Sequence, residues 1–198
     1  MNDKPVSLYA RRAFIAALAS SPVLLLAQSA SAATLIEPTP ACEDGDDPTP
    51  RQTEGPYFKS KSPQKNVLRD AGLAGVPLAL TGIVMSTGCM PIAGAKLDFW
   101  QADDDGDYDH FKFRLRGHQF TDAAGRYSLE TIQPGLYPGR TRHIHVKVQA
   151  PNARILTTQL YFPNEPRNSK DGIFNARNVI DIGRAASGLS GRFDFVLA

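Results

Sequence analysis

From residue 78 to its end, the chain consists of short apolar stretches separated by turn residues. Within these stretches the apolar positions recur roughly every second residue, which places alternate side chains on one face of a β-strand. This pattern predicts strands over the following stretches: Leu78 to Met85, Ala95 to Trp100, Arg126 to Ile132, Arg142 to Ala150, Ile155 to Phe162 and Arg192 to Ala198.

Glycine and proline punctuate these stretches, as in Pro134-Gly135, Pro138-Gly139 and Pro151-Asn152. Short strands at such spacing are typical of two packed sheets rather than of alternating strands and helices. The sequence therefore predicts an all-β protein, an antiparallel β-sandwich with long loops and few short helices. The short helices are expected near residues 65–71 and 174–179.

The first part of the chain has the features of an export signal. Arg11-Arg12 precedes an apolar stretch over residues 16–27, and Ala30-Ser31-Ala32 fits a signal-peptidase site. The apolar stretch is shorter than the ~20 residues that a membrane-spanning helix needs. We therefore expect a twin-arginine (Tat) signal over residues 1–32 and a periplasmic or extracellular protein.

The remainder divides into two parts. Residues 33–52 are rich in proline, aspartate and threonine, which predicts an extended arm, and residues 53–198 form the sandwich domain. Without residues 1–32, the basic residues fall from 22 to 19 and the acidic residues from 20 to 19. A balanced charge argues against a nucleic-acid partner, and after signal cleavage no membrane association is expected.

The chain contains two cysteines, Cys42 and Cys89. Two thiols cannot complete a four-cysteine metal site. In an oxidising compartment they could instead form a disulfide, and the sequence leaves open whether they pair or remain separate.

Two histidines stand two residues apart on a predicted strand. His143 and His145 should therefore project from the same face, while Ile144 and Val146 face the core. Two imidazoles on a rigid strand form a metal platform, although a solvent-facing strand with incidental histidines has the same pattern. A two-histidine, one-carboxylate site also needs an acidic residue, and Val146 to Pro151 contains none, so the position of a cupin-like glutamate is empty. A three-histidine zinc site would need His110 or His118.

Two tyrosines precede these histidines. Tyr108 follows the Trp100 strand, and Tyr137 lies in the turn before the histidine strand. Phenols are normally neutral, with a pKa of about 10, but a highly charged cation holds them as phenolates. Two phenolates with two neutral imidazoles would suit a ferric ion. Taken singly, either tyrosine could equally be a half-buried aromatic with a hydrogen-bonded hydroxyl.

A run of acidic residues, Asp103 to Asp107, suggests a calcium loop at first sight. Aligning Gly106 with the glycine of an EF-hand puts Gln101 at the first position and Lys112 at the twelfth. Neither residue suits calcium there, so we expect a solvated acidic turn.

Several motifs together resemble the intradiol ring-cleavage dioxygenases, a family that includes protocatechuate 3,4-dioxygenase and catechol 1,2-dioxygenase. The resemblance covers residues 51–165 and is carried by the following motifs: Gln52 to Tyr57, Leu80 to Val84, Pro91 to Ala95, Phe99 to Ala102, Gly106 to Tyr108, Phe120 to Asp122, Gly125 to Tyr127, Thr131 to Gly135, Tyr137-Pro138, Arg140 to His145 and Thr158 to Phe162. Cys89 departs from the family pattern, in which glycine is usual at this position.

The resemblance implies one non-haem Fe(III) per chain, held by four residues: Tyr108, Tyr137, His143 and His145. It also implies catalytic roles for Arg140 and Gln159 beside the bound ring, and for Tyr137 as a ligand that leaves the iron and accepts a proton. The expected substrates are a catechol-type diol and dioxygen, and the expected products are cis,cis-muconate-type acids. Which diol is cleaved stays open, and homo-oligomerisation stays open as well.

A non-enzymatic interpretation uses part of the same sequence. Residues 121–129, followed by Pro134 to Tyr137, also resemble transthyretin-like and carboxypeptidase-regulatory-like sandwich domains, which act as binding or structural units. Such modules have no reason to carry two tyrosines and two histidines in ligand order, so metal content separates the two hypotheses. The zinc hydrolase with three histidines is the third hypothesis.

Overall fold

The computed structural model describes residues 47–198. The predicted signal, most of the predicted arm and Cys42 lie outside the described residues. Cys89 is disulfide-bonded. The strands run in chain order as follows: β1 Pro77–Ser86, β2 Lys96–Trp100, β3 Arg116–Phe120, β4 Arg126–Ile132, β5 His143–Gln149, β6 Leu156–Tyr161, β7 Asp181–Ala185, β8 Gly188–Arg192 and β9 Phe195–Leu197.

These strands form two sheets. The front sheet has the order β3-β2-β5-β6, and all of its pairings are antiparallel. The back sheet has the order β4-β1-β8-β7, with β9 also paired to β1. Strand β1 runs parallel to β8 and β9, while its pairing with β4 is antiparallel. The predicted β-sandwich is confirmed, with two parallel pairings that the sequence pattern did not indicate.

The core lies between the two sheets and is filled by apolar residues from both. Leu80 and Leu129 of the back sheet pack in one cluster with Phe99, Ile144 and Val146 of the front sheet. Each of these side chains is at most 1 % exposed. Full burial of such a side chain stabilises the fold by about 1.5–3 kcal/mol. The prediction that Ile144 and Val146 face the core is confirmed.

The predicted strands agree with the structure, whereas β3, β7 and β8 were not predicted. All three of these strands carry glycine and charged residues and few apolar ones, as in Arg116-Gly117-His118. The helix expected over residues 65–71 is wrong, because Lys65 N donates to His118 O and Leu68 N donates to Glu130 O. Two short 3-10 helices occur in the described part of the chain, Asn168–Lys170 and Ala176–Asn178, and the second matches the prediction.

The segment before β1 crosses the outer face of the front sheet. Gln52 N donates to Thr157 O at 2.8 Å, Glu54 pairs with Lys147, and the Ser62 hydroxyl donates to Asp98. We call residues 49–68 the covering segment. Because it lies on this face, most of β2 and the beginning of β5 are buried on both sides. No helix among residues 47–198 is long and apolar enough to cross a membrane.

Candidate metal centre

The front sheet places the two histidines side by side beneath the covering segment. His143 and His145 are 4 % and 3 % exposed, and their Nε2 atoms lie 3.1 Å apart. The His143 Nδ1 donates to the carbonyl of Thr141 at 2.7 Å, because a carbonyl can only accept. The Nε2 of a neutral His143 therefore carries a lone pair, and this atom lies next to Nε2 of His145.

Burial keeps both imidazoles neutral. It lowers the pKa of His143 to about 4, with a smaller lowering by the charge of Arg140 and an opposing effect of the Thr141 hydrogen bond. Burial also lowers the pKa of His145 well below its usual value, and His143 and Arg140 add to this. At neutral pH both rings are thus metal-binding imidazoles rather than cations.

The indole of Trp100 sets the orientation of His145. The two rings are stacked with centroids 4.8 Å apart and an angle of 8° between their planes. Gly55 of the covering segment also approaches this imidazole. A Cβ at Gly55 would lie 3.3 Å from His145 Cε1, and the backbone there has φ +72°. Glycine is therefore the residue that lets the covering segment pass this close.

Both predicted tyrosines lie beside the histidines. The Tyr108 hydroxyl is 3.1 Å from His143 Nε2, and the ring centroids of Tyr108 and Tyr137 are 5.8 Å apart. Burial raises the pKa of Tyr108 above its usual value. The structure thus brings together the four predicted ligand residues, which we call the Tyr–His cluster: Tyr108, Tyr137, His143 and His145.

A close contact between two loops holds the tyrosines near each other. Gly135 N donates to Asp103 O at 2.6 Å, and a Cβ at Gly135 would lie 2.4 Å from Asp104 O. The loop that carries Tyr137 can approach the loop that carries Tyr108 this closely only because residue 135 has no side chain.

Asp103 organises the acidic loop, which corrects the expectation of a wholly solvated turn. Its side chain is 9 % exposed, accepts from the backbone of Asp105 and Asp107, and pairs with Arg114 at 2.7 Å. Buried carboxylates of this kind are satisfied by backbone donors and a counter-charge. Asp104 and Asp105 are exposed, as expected.

Arg140 and Gln159, the other predicted site residues, bond to each other. Arg140 Nη2 donates to Gln159 Oε1 at 2.6 Å, and Gln159 Nε2 donates to Thr53 O at 2.9 Å. Gln159 lies opposite His145 in the β5–β6 register. The guanidinium is close enough to lower the pKa values of His143 and Tyr108. The site therefore combines two neutral histidines and two tyrosines with the guanidinium of Arg140. The buried guanidinium of Arg116 also acts on Tyr108 and His145.

Tyr57 belongs to the site although sequence reasoning did not select it. Its hydroxyl is 2.7 Å from the Tyr137 hydroxyl, and its ring stacks on Tyr108 with centroids 4.5 Å apart. The one available signal was its place in the Gln52 to Tyr57 motif. Nothing in the sequence pattern indicated that this segment would lie across β5.

The remaining histidines lie outside this arrangement. Among residues 47–198, three adjacent His, Cys, Asp or Glu ligand atoms occur together only in Asp103, Asp104 and Asp105. His118 Nδ1 bonds to Ser62 O instead, and the His110 ring packs edge-on against Tyr57. The three-histidine zinc site is therefore not formed by the described residues.

Comparison with known proteins identifies the family of this chain. The dioxygenase family model matches residues 53–198. The β chain of protocatechuate 3,4-dioxygenase from Burkholderia cepacia is 30 % identical over 162 residues, which are 67 % of this chain and 69 % of that one. Hydroxyquinol 1,2-dioxygenase from Rhizobium sp. (strain MTP-10005) is 28 % identical over 154 residues, 64 % of this chain and 52 % of that one. The chain thus spans about half the length of that relative.

Solved structures show the same fold. The dioxygenase domain of a dioxygenase carbohydrate-binding protein fusion from Streptomyces sp. SirexAA-E is 56 % identical and superposes with a TM-score of 0.75, covering 76 % of this chain and 98 % of that one. Catechol 1,2-dioxygenase from Pseudomonas arvilla C-1 is 27 % identical with a TM-score of 0.69, covering 76 % and 62 %.

Proposed function

The chain belongs to the intradiol ring-cleavage dioxygenase family, and from this premise we propose that it is an Fe(III) enzyme that opens catechol-type rings with dioxygen. The products would be cis,cis-muconate-type acids. The observation that carries the proposal is the convergence of the Tyr108 hydroxyl and the two histidine Nε2 atoms, with successive distances of 3.1 Å.

The donor set fits a ferric ion. Phenolate oxygen is a hard anionic ligand, and Tyr108 and Tyr137 would together supply two negative charges. His143 and His145 would add two neutral nitrogens, since burial depresses their pKa values. The raised pKa of Tyr108 belongs to the metal-free pocket, and a bound cation reverses that preference. These four residues would therefore hold one iron per chain.

Bound iron would supply Lewis-acid and redox chemistry that lets dioxygen react with the aromatic ring. The protein supplies the proton acceptor. Tyr137 is half-buried, and its oxygen already bonds to the Tyr57 hydroxyl at 2.7 Å. A phenolate at Tyr137 can take a proton from the incoming diol, and Tyr57 then holds the resulting phenol by the same hydrogen bond.

Arg140 and Gln159 provide the electrostatics of the pocket. The guanidinium is a fixed cation beside the Tyr–His cluster, and Gln159 Oε1 holds one of its nitrogens. A preorganised cation in a site with little water stabilises negative charge that develops on the ring oxygens during cleavage. The aromatic side chains of Tyr57, Phe58 and Trp100 pack around Tyr108 and keep water out of this part of the site.

The first experiment is the visible spectrum and oxygen uptake of the iron-loaded protein. Phenolate-to-iron charge transfer should colour it burgundy, and catechol should be consumed with dioxygen as muconate forms. The Tyr137→Phe variant should shift or bleach the band. Tyr127→Phe is the matched control, because its hydroxyl bonds to Phe193 O in the core, away from the cluster. A colourless zinc protein without oxygen uptake would refute the proposal.

For the substrate, we propose only its chemical class, an aromatic ortho-diol. The relatives are named for hydroxyquinol, catechol and protocatechuate, which are all ortho-diols that could chelate one ion through two oxygens. A panel of these diols, read by oxygen uptake and product identity, would rank them for this chain. A preference for one ring substituent would identify the pocket residues to change next.

We also propose that the protein is exported with cleavage after Ala32. The support is the paired arginines, the short apolar stretch and the small residues before the cleavage site. Expression of the full chain should yield a periplasmic or secreted form whose mass begins at residue 33. Changing Arg11 and Arg12 to lysine should retain the precursor in the cell, and equal export of both forms would reject a Tat route.

A further inference from the structure

The loop after β6 reaches back to the start of β5. Within it, the Asp171 carboxylate accepts from Arg140 Nε at 2.8 Å and from Thr141 N at 2.9 Å, both through Oδ2. Its Oδ1 accepts from Ile173 N at 3.1 Å. The Asp171 side chain is only 2 % exposed. Burial removes the carboxylate from water, which costs free energy. The hydrogen bonds and the ion pair compensate this cost.

The same loop is fixed to the strands on either side. Asn168 Oδ1 accepts from the Thr141 hydroxyl at 2.7 Å, and Asn168 Nδ2 donates to Phe162 O at 2.9 Å. Further along, Ile173 O accepts from the hydroxyl of Tyr161 and from Gln52 Nε2. Asp171 is therefore held in place by bonds that do not involve Arg140.

We propose that Asp171 is the positioning residue for Arg140, so that the loop after β6 sets the location of the pocket cation. This inference rests on the proposed function of Arg140 at the ring. Among the described hydrogen bonds and ion pairs, Asp171 makes none with a member of the Tyr–His cluster. Its direct bonds near the site are those to the Arg140 guanidinium and to Thr141 N, and its charge is close enough to raise the pKa of His143.

The geometry explains why a second anchor is needed. An arginine side chain loses rotamer entropy when it is fixed in one position. Gln159 bonds to the guanidinium through Nη2 and Asp171 bonds to it through Nε, so the two bonds together restrain rotation of its plane. Asp171 also balances a charge that would otherwise be partly buried alone.

The ionisation of Asp171 agrees with this role. Burial alone would raise its pKa, but the hydrogen bonds from Thr141 N and Arg140 outweigh burial and lower it below the usual value. The carboxylate is therefore charged at neutral pH. Its bond to Thr141 N also fixes the residue whose carbonyl orients His143.

A double-mutant cycle tests the proposal with Asp171→Asn, Arg140→Ala and the double variant. Asparagine keeps the volume of aspartate and one acceptor oxygen but lacks the charge. In the iron-loaded enzyme with catechol, Asp171→Asn should lower kcat about 10- to 100-fold, as expected for a misplaced catalytic group. In the Arg140→Ala background the same change should matter less than about threefold, because the residue it acts through is gone.

Equal losses in both backgrounds would overturn the inference, since they would show that Asp171 acts elsewhere. Iron content should stay at the wild-type level, and its loss in Asp171→Asn would assign Asp171 to ligand support instead. Asp122→Asn is the matched control. Asp122 also accepts from an arginine Nε, that of Arg126, at 2.8 Å and from backbone nitrogens, but on an exposed turn.

A crystal structure of Asp171→Asn provides a readout that does not depend on activity. We expect the guanidinium of Arg140 to leave Gln159 or to occupy several positions, and an unmoved guanidinium would overturn the inference. If Asp171→Asn does not fold, Asp171→Glu keeps the charge and moves it by one methylene, with a smaller kcat loss expected. Lack of ring opening by the wild type would refute the proposed function alone, since the crystal structure still tests the contact.

Discussion

The two sheets share one core but differ on their outer faces. On the back sheet, β4 alternates from Arg126 to Glu130, with Ser128 and Glu130 exposed and Leu129 buried. On the front sheet, β5 is buried on both faces at its beginning, where His143 and His145 lie under the covering segment. Ser128 and Glu130 are thus solvated, whereas the two histidines are enclosed, and most buried polar groups are hydrogen-bonded to another group.

This difference indicates where the chemistry is. Burying histidine, tyrosine and arginine costs free energy that hydrogen bonds only partly compensate. A cluster of such buried groups is therefore a candidate functional site. The back sheet packs one face against the core and exposes the other face to solvent. The outer face of the front sheet, in contrast, carries the two histidines of the Tyr–His cluster beneath the covering segment.

The largest expected effect comes from removing a histidine of the Tyr–His cluster on the front sheet. His145→Ala should reduce the iron content from about one per chain to near zero, because metal binding requires its deprotonated ligands in place. Ring opening should be lost with the metal. Iron analysis and oxygen uptake measure both. Ser128→Ala on the exposed face of β4 is the control and should change neither, and retained iron in His145→Ala would remove His145 from the ligand set.

A smaller effect is expected when the pocket cation is removed. Arg140→Ala should lower kcat about 10²- to 10³-fold, the range seen when one preorganised group that stabilises the transition state is lost. The iron content and the visible band should remain, because Arg140 is not a proposed ligand. Steady-state kinetics and iron analysis test this. Parallel loss of iron and kcat would assign a structural role to the arginine.

The back sheet should respond in stability and not in chemistry. Leu129 is 1 % exposed in the shared core, so Leu129→Ala should cost about 2–5 kcal/mol of unfolding free energy. The kcat per bound iron should be unchanged below the melting temperature. Denaturant unfolding gives the first quantity and oxygen uptake the second. A large fall in kcat per iron would mean that the two sheets are coupled more tightly than their packing suggests.

The last prediction concerns pH and the metal-free protein. His143 has a pKa of about 4 in the fold and about 6.5 when unfolded, so the unfolded chain binds more protons between these values. Stability from this residue is fully present above pH ~6.5 and is lost as the pH falls towards ~4, by about 3 kcal/mol at most. Unfolding with chelator at several pH values should show this slope. His143→Gln should remove its share, and an identical slope in the variant would contradict the assignment.

Local pattern determined much of this protein in advance. The period-two alternation of β1, β4 and β5 gave their positions and the inward direction of Ile144 and Val146, because side-chain direction follows from backbone geometry alone. It also placed His143 and His145 on one face. The four members of the Tyr–His cluster could be selected from their order and their resemblance to a family.

Tertiary structure decided what local pattern cannot encode. Strands β3, β7 and β8 carry little apolar signal and exist because neighbouring strands offer hydrogen bonds. The parallel pairing of β1 with β8 joins residues more than a hundred positions apart in the chain. The contact of Gly55 in the covering segment with His145 joins residues ninety positions apart. Tyr57 and Asp171 become site residues only through such contacts, since nothing in their own sequence neighbourhood records which strand they will meet.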